Sequence, residues 1–186
     1  MSPRHSLLVA AAALWLAACA TLERPAPPPP SALPERYAVS GRIAVKAQGK
    51  GYSAHFGWRH DSTRDTVDVR NPLGQVVARL ELGPDGARWT DADGLVRDAD
   101  DIESLTEREL GWRLPARGLR FWLLGLADPE RPSQWGEDNG NRLLEQDGWR
   151  ISFPPANSAA PNRLTLARPD LEVRIALYDW QLDSLP

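Results

Sequence analysis

Tyr37-Ala38-Val39-Ser40-Gly41-Arg42-Ile43-Ala44-Val45-Lys46 is the stretch that decides the fold. Tyr37, Val39, Ile43 and Val45 alternate with Ser40, Arg42 and Lys46, the two-residue period of a strand with one buried face. A second stretch repeats the pattern, with Tyr52, Ala54, Phe56 and Trp58 set against Ser53, His55 and Arg59. Val67 and Val69 follow, then Val76, Ala78, Leu80 and Leu82 beyond a turn. Leu164 to Leu166, then Leu171, Val173, Ile175 and Leu177, supply closing strands. Asp85-Gly86, Asp93-Gly94 and Asp147-Gly148 are tight-turn signals between short strands. The pattern predicts an antiparallel meander of about eight to eleven strands.

One segment breaks the period. Asp100 with Glu103 predicts a helix cap and its partner, Ile102, Leu105 and Leu110 form a helical stripe, and Gly111 stops it. After Pro115, residues Leu119, Trp122, Leu123 and Leu126 fall at i, i+3, i+4 and i+7 of a second short helix. Helices inserted in a meander must pack on a sheet face, and on the concave side of a curved sheet they enclose an apolar space. The expected class is mainly β with an α insert: a curved antiparallel sheet with a helical lid. The chain holds eight Trp, which either fill a broad core or line such a cavity. Trp58, Trp122 and Leu123 are expected to face the cavity, from strand alternation and the helical stripe.

The 186 residues, 42% hydrophobic and 25% charged, suffice for one domain with a sizeable core. A net charge of -3 lacks the basic footprint of a nucleic-acid binder. One Cys and three His, one of them in the leader, exclude an intramolecular disulfide and a structural zinc or iron–sulfur centre by count. Arg4 and His5 precede an apolar run from Leu7 to Ala18, of signal-peptide length and short of the ~20 residues of a membrane span. The run ends Leu16-Ala17-Ala18-Cys19, which resembles a bacterial lipobox with Cys19 as the acylated first residue; the alternative is an ordinary secretory signal with a cysteine nearby. Ala20 takes the place where an aspartate would resemble an inner-membrane retention signal, and its presence points outward. Residues 1–18 are then signal, 19–36 a lipidated, Pro-rich tether, and 37–186 the domain. Fully extended, the tether reaches on the order of 50 Å at ~3.1 Å per residue.

Asn71-Pro72-Leu73-Gly74 carries the residues preferred at i, i+1 and i+3 of a type I turn and leaves Leu73 at i+2. That Leu is either folded back over the sheet or exposed at the apex. An exposed Leu on a stiff loop gains up to ~2 kcal/mol on entering a bilayer, enough to bias contact and too little to hold it.

Gly41-Arg42-Ile43-Ala44-Val45, Phe56-Gly57-Trp58, Asn71-Pro72-Leu73-Gly74, Gly111-Trp112-Arg113-Leu114-Pro115, Trp122-Leu123-Leu124-Gly125, Gly148-Trp149 and Trp180 occur in that order behind the lipobox. Together they resemble the LolB family of outer-membrane lipoprotein receptors over nearly all of the mature chain. The resemblance implies an open antiparallel β-half-barrel with a helical lid over an apolar cavity. It implies a monomer, lipid-anchored on the periplasmic face of the outer membrane. Such a protein accepts acylated lipoproteins from the soluble periplasmic carrier LolA and places them in the inner leaflet. The family's protruding-loop leucine falls on Leu73, a membrane-inserting role.

No catalytic or cofactor motif competes. Gly51-Tyr52-Ser53-Ala54-His55 lacks the closing glycine of a nucleophile elbow, and Ala44 to Gly51 lacks the first glycine and the hydroxyl of a phosphate loop. The aspartates from Asp91 to Asp101 lack calcium-loop spacing, and His55 and His60 match no metal or triad pattern. Neither enzyme activity nor a cofactor is expected. Burying a ~16-carbon acyl chain is worth ~13 kcal/mol at ~0.8 kcal/mol per CH₂, so transfer without nucleotide energy has to run mouth to mouth and downhill. The competing expectation is an envelope scaffold lipoprotein with a solid core and no acyl cavity.

Overall fold

The computed structural model describes residues 30–155 and 160–182; the leader, Cys19 and most of the Pro-rich segment lie outside them. The described residues form one eleven-stranded antiparallel sheet. Its strands are β1 (Arg36–Ala47), β2 (Lys50–Asp61), β3 (Arg64–Arg70), β4 (Val76–Gly83), β5 (Gly86–Asp91), β6 (Val96–Ala99), β7 (Ser133–Asp138), β8 (Asn141–Gln146), β9 (Trp149–Phe153), β10 (Arg163–Arg168) and β11 (Leu171–Leu182). Helices α1 (Ile102–Leu110) and α2 (Ala116–Trp122) lie between β6 and β7. The spatial order is β6-β5-β4-β3-β2-β1-β11-β10-β9-β8-β7, so β11 returns beside β1 while β6 and β7 remain as edges of an open half-barrel. The chain between β6 and β7 has to travel from one edge to the other, which is why the helices span the concave face.

The predicted alternation holds along the long strands. Tyr37, Val39 and Val45 on β1 and Phe56 and Trp58 on β2 are buried, whereas Arg42, Lys46, His55 and Arg59 are exposed. A bulge resets the period where β11 passes β1: Val39 faces Trp180 and Gly41 faces Leu177, leaving two residues of β11 opposite Ser40. Leu177 and Trp180 both point inward as a result. A Cβ on Gly41 would lie 2.3 Å from the Ala176 carbonyl oxygen and 2.7 Å from the Phe56 ring, so this position admits no side chain.

The α1 cap lies one residue later than expected. Asp101, not Asp100, is the N-cap, its carboxylate accepting from the Ser104 amide at 2.7 Å and the Ser104 hydroxyl at 2.8 Å. Ser104 thus fills the role assigned to Glu103, and Gly111 ends the helix as expected. Helix α2 stops at Trp122, so Leu126 lies past its end rather than on its stripe.

Candidate functional site

An apolar cavity of about 320 Å³ lies between the lid and one half of the sheet. The sheet contributes Ile43 and Val45 of β1, Tyr52, Ala54, Phe56 and Trp58 of β2, Val67 and Val69 of β3, Leu80, Trp89 and Ile175. The lid contributes Leu110, Trp112, Leu114, Leu119 and Leu123. Trp58 and Leu123 therefore line the cavity, and three of the seven tryptophans among the described residues do so. Tyr52, 54% exposed, and Leu110 mark its mouth together with Ser53 and Glu109. Glu109 is ion-paired to Arg97 at 3.2 Å.

Trp122 does not line the cavity, contrary to the expectation from the helical stripe. It is fully buried, and its indole lies back on its own helix: a Cβ on Gly118 would come within 2.3 Å of that ring. The indole N–H donates to Gln146 Oε1 of β8 at 2.9 Å, and that same oxygen accepts the Asp128 amide at 2.9 Å. Gln146 Nε2 in turn donates to the Asp128 carbonyl at 2.9 Å. Around Trp122, the β8–β10 half of the sheet is filled by Leu124, Leu144, Ile151, Phe153, Leu164 and Leu166, all essentially inaccessible. One half of the sheet thus has a solid core and the other a cavity, where the sequence left these as alternatives.

A buried carboxylate ties lid to wall. Asp65, at the inward-facing start of β3, is 1% exposed. Its Oδ1 accepts the Trp58 indole N–H at 2.9 Å and lies 2.9 Å from His60 Nδ1. Because an ionised carboxylate only accepts, His60 carries a proton on Nδ1. Asp65 Oδ2 accepts Arg120 Nε of α2 at 2.8 Å and a second, shorter bond from Arg120 Nη2. The Tyr37 hydroxyl donates to the Arg120 carbonyl at 2.9 Å, and its ring packs on His60 with centroids 5.3 Å apart. Burial first, then the charge of Asp65, holds the Tyr37 phenol well above its usual range, so it stays a donor. No motif marks Asp65 or Arg120 in the sequence. The signal available was an Asp and a His at inward-facing strand positions.

The Asn71–Gln75 turn resolves the two alternatives for Leu73, which is 84% exposed. Its backbone is pinned: the Gly74 amide donates to the Asn71 carbonyl at 2.9 Å, and Asn71 Oδ1 accepts the Leu73 and Gln75 amides at 3.0 and 3.1 Å. The β5–β6 turn is built the same way. There the Gly94 amide donates to the Asp91 carbonyl at 3.1 Å, and Asp91 Oδ1 accepts the Asp93 and Leu95 amides at 3.0 and 2.9 Å. The position equivalent to Leu73 is Asp93, so the turn itself does not require an apolar residue there.

A family model described as Outer membrane lipoprotein LolB matches residues 35–180. An outer-membrane lipoprotein LolB from Chromobacterium violaceum is 41% identical, covering 94% of this chain and 98% of that relative. One from Thiobacillus denitrificans is 34% identical, over 96% and 98%. Among solved structures, a LolA superfamily protein from Nitrosomonas europaea aligns at TM-score 0.47 with 8% identity, covering 82% of this chain and 88% of that one. With the lidded half-barrel, its apolar cavity and the ordered motifs in hand, the chain belongs to the LolB family of outer-membrane lipoproteins.

Proposed function

We propose that this protein accepts acylated lipoproteins from the periplasmic carrier LolA and releases them into the inner leaflet of the outer membrane, working as a monomer without cofactor, nucleotide or catalysis. Cys19 is the acylated anchor, which holds the domain at the periplasmic face through its tether. Trp58 and Leu123 bind acyl chains, and Leu73 enters the bilayer at release. The observation that carries this reading is the pairing of an apolar cavity with a rigid turn that holds a Leu 84% exposed. The cavity counts against the solid-core scaffold. Its 320 Å³ is at the low end of the ~300–1,000 Å³ of small-molecule sites, so acylated cargo requires the lid to yield.

Leu73→Glu separates the steps. The side chain is exposed and Asp93 occupies the equivalent place in a like turn, so the substitution is expected to cost within ~0.5 kcal/mol of stability. Acceptance of cargo from LolA is expected to persist, and delivery into liposomes to fall, because a charged tip is costly to bring into hydrocarbon. Wild-type delivery by Leu73→Glu would reduce Leu73 to a turn residue. Failure of the wild-type domain to take an acylated lipoprotein from the carrier would overturn the whole reading.

A further inference from the structure

The β3–β4 and β5–β6 turns lie at the same end of the sheet, because β4 and β5 are joined at the other end by the turn between Gly83 and Gly86. Two strand spacings separate them, on the order of 10 Å. Leu95, which closes the β5–β6 turn, is 55% exposed, and Val96 beside it is exposed as well. Val76 and Val77, at the start of β4 between the two turns, are also exposed. Leu73, Val76, Val77, Leu95 and Val96 thus fringe this end of the sheet with apolar groups on both of its faces, since neighbouring strand residues point opposite ways. Leu110 and Tyr52 are exposed as well and also line the cavity, so they mark where it opens.

We infer that the β5–β6 turn is a second membrane-contacting tip, and that it seats with the Leu73 turn on the interfacial layer of a zwitterionic phospholipid bilayer so that the cavity mouth opens onto hydrocarbon. This rests on the lipid-delivery reading of Leu73. A bilayer fits this end because Leu73 and Leu95 stand on two projecting turns, each fixed by an Asn or Asp side chain capping its own amides, with Val76, Val77 and Val96 behind them on β4 and β6. A fluid surface accepts rigid projections without a matching hollow, and exposed Tyr52 and Leu110 at the cavity mouth give an acyl chain an apolar exit. The charges set the depth. Asp93 occupies the place equivalent to Leu73 and holds the second tip at the level of the choline or ethanolamine cations, while Leu73 goes deeper. Arg97 pairs with both Asp91 and Glu109 at 3.2 Å, so one guanidinium offsets half the charge of the two carboxylates next to the mouth.

The test uses the acylated mature chain in phosphatidylcholine liposomes. Cys19 is the one native cysteine, and in the lipidated form prepared for the test its thiol is occupied, so a cysteine introduced elsewhere takes an environment-sensitive fluorophore selectively. Leu73→Cys, Leu95→Cys and Asp85→Cys, the last in the turn at the opposite end, are compared by quenching from lipids labelled at shallow and deep positions. The expected result is deep quenching at 73, shallow quenching at 95 and none at 85. Quenching at 73 with none at 95 would overturn this inference and leave the Leu73 reading in place; none at either would overturn both. The double substitution Leu95→Ser with Val96→Ser is expected to lower delivery into liposomes about tenfold, for the apolar area lost to the interface, with acceptance from the carrier unchanged. A fall in acceptance with delivery of accepted cargo unchanged would assign this end to a protein partner and overturn the inference.

Discussion

Arg120→Met tests whether the buried Asp65 carboxylate fastens the lid. The substitution keeps the length and apolar stem of the side chain while removing both guanidinium bonds to Asp65 Oδ2. Asp65 keeps the Trp58 indole and His60, but its second oxygen is left without a partner in a site where the carboxylate is inaccessible to water. Breaking a buried pair by removing one partner costs about 3–5 kcal/mol. Arg120 itself is 23% exposed, so water can reach part of the gap, and the lower figure of about 3 kcal/mol applies. For a domain of this size that lowers Tm by roughly 6–12 °C. Urea unfolding gives the first measurement. The second variant is Arg120→Met with Asp65→Asn, in which a neutral amide replaces the stranded charge and still accepts from Trp58; at least ~1 kcal/mol should return. A single-variant loss below ~1 kcal/mol, or no recovery in the double variant, would refute the argument that an uncompensated buried charge is the source. Helix α2 also carries Leu119 into the cavity, with Leu123 just past its end, so Arg120→Met should speed entry of a fluorescent fatty acid.

Two further outcomes follow from the same geometry. Trp122→Phe should lose about 1–2 kcal/mol, from the vacated volume and the broken bond to Gln146, yet leave saturable fatty-acid binding within twofold, because Trp122 does not line the cavity; a larger loss of affinity at retained fold would place the indole in the acyl site. Asp68, on the outer face of β3, takes bonds from Arg79 at 2.6 and 3.1 Å, and these hold its pKa below the usual carboxylate value. A depressed folded-state pKa contributes stability above the unfolded value of about 3.9 that is lost as pH falls through the lower folded value. The stability gap between wild type and Asp68→Asn should therefore be widest near neutrality and shrink below about pH 4, as read from urea midpoints; a gap independent of pH would exclude the ion pair as its cause.

Elements with local signals were legible without coordinates. The two-residue period of β1, β2 and β11 is written in adjacent residues, and the Asp-Gly and Asn-Pro-Leu-Gly turns carry their own backbone preferences. β7 carried no such period because every residue of it is exposed, so no hydrophobic alternation marks it. The α1 cap slipped by one position because Asp100 and Asp101 are adjacent and equally able to cap, and only the backbone path chose between them.

The candidate site divides along the same line. The Leu73 turn was readable from four residues, but whether Leu73 folds back or stands in solvent depends on how the neighbouring strands end, and the tertiary structure decided for solvent. Trp58 lines the cavity as its strand parity required. Trp122 obeyed the helical stripe only as far as burial: its indole direction was set by the groove over Gly118 and by Gln146, 24 residues away. The lid fastening joins Arg120 to Asp65 across 55 residues, a distance at which periodicity carries no information. By itself the sequence determined the curved antiparallel sheet, its inserted helices and the exposed-or-folded choice at Leu73, because those follow from nearest-neighbour backbone chemistry and alternation, while the open half-barrel was implied only by the resemblance. Which half of the sheet stays hollow, and which buried charge holds the lid over it, was decided only when the chain closed on itself, because both depend on side chains from distant strands competing for one volume.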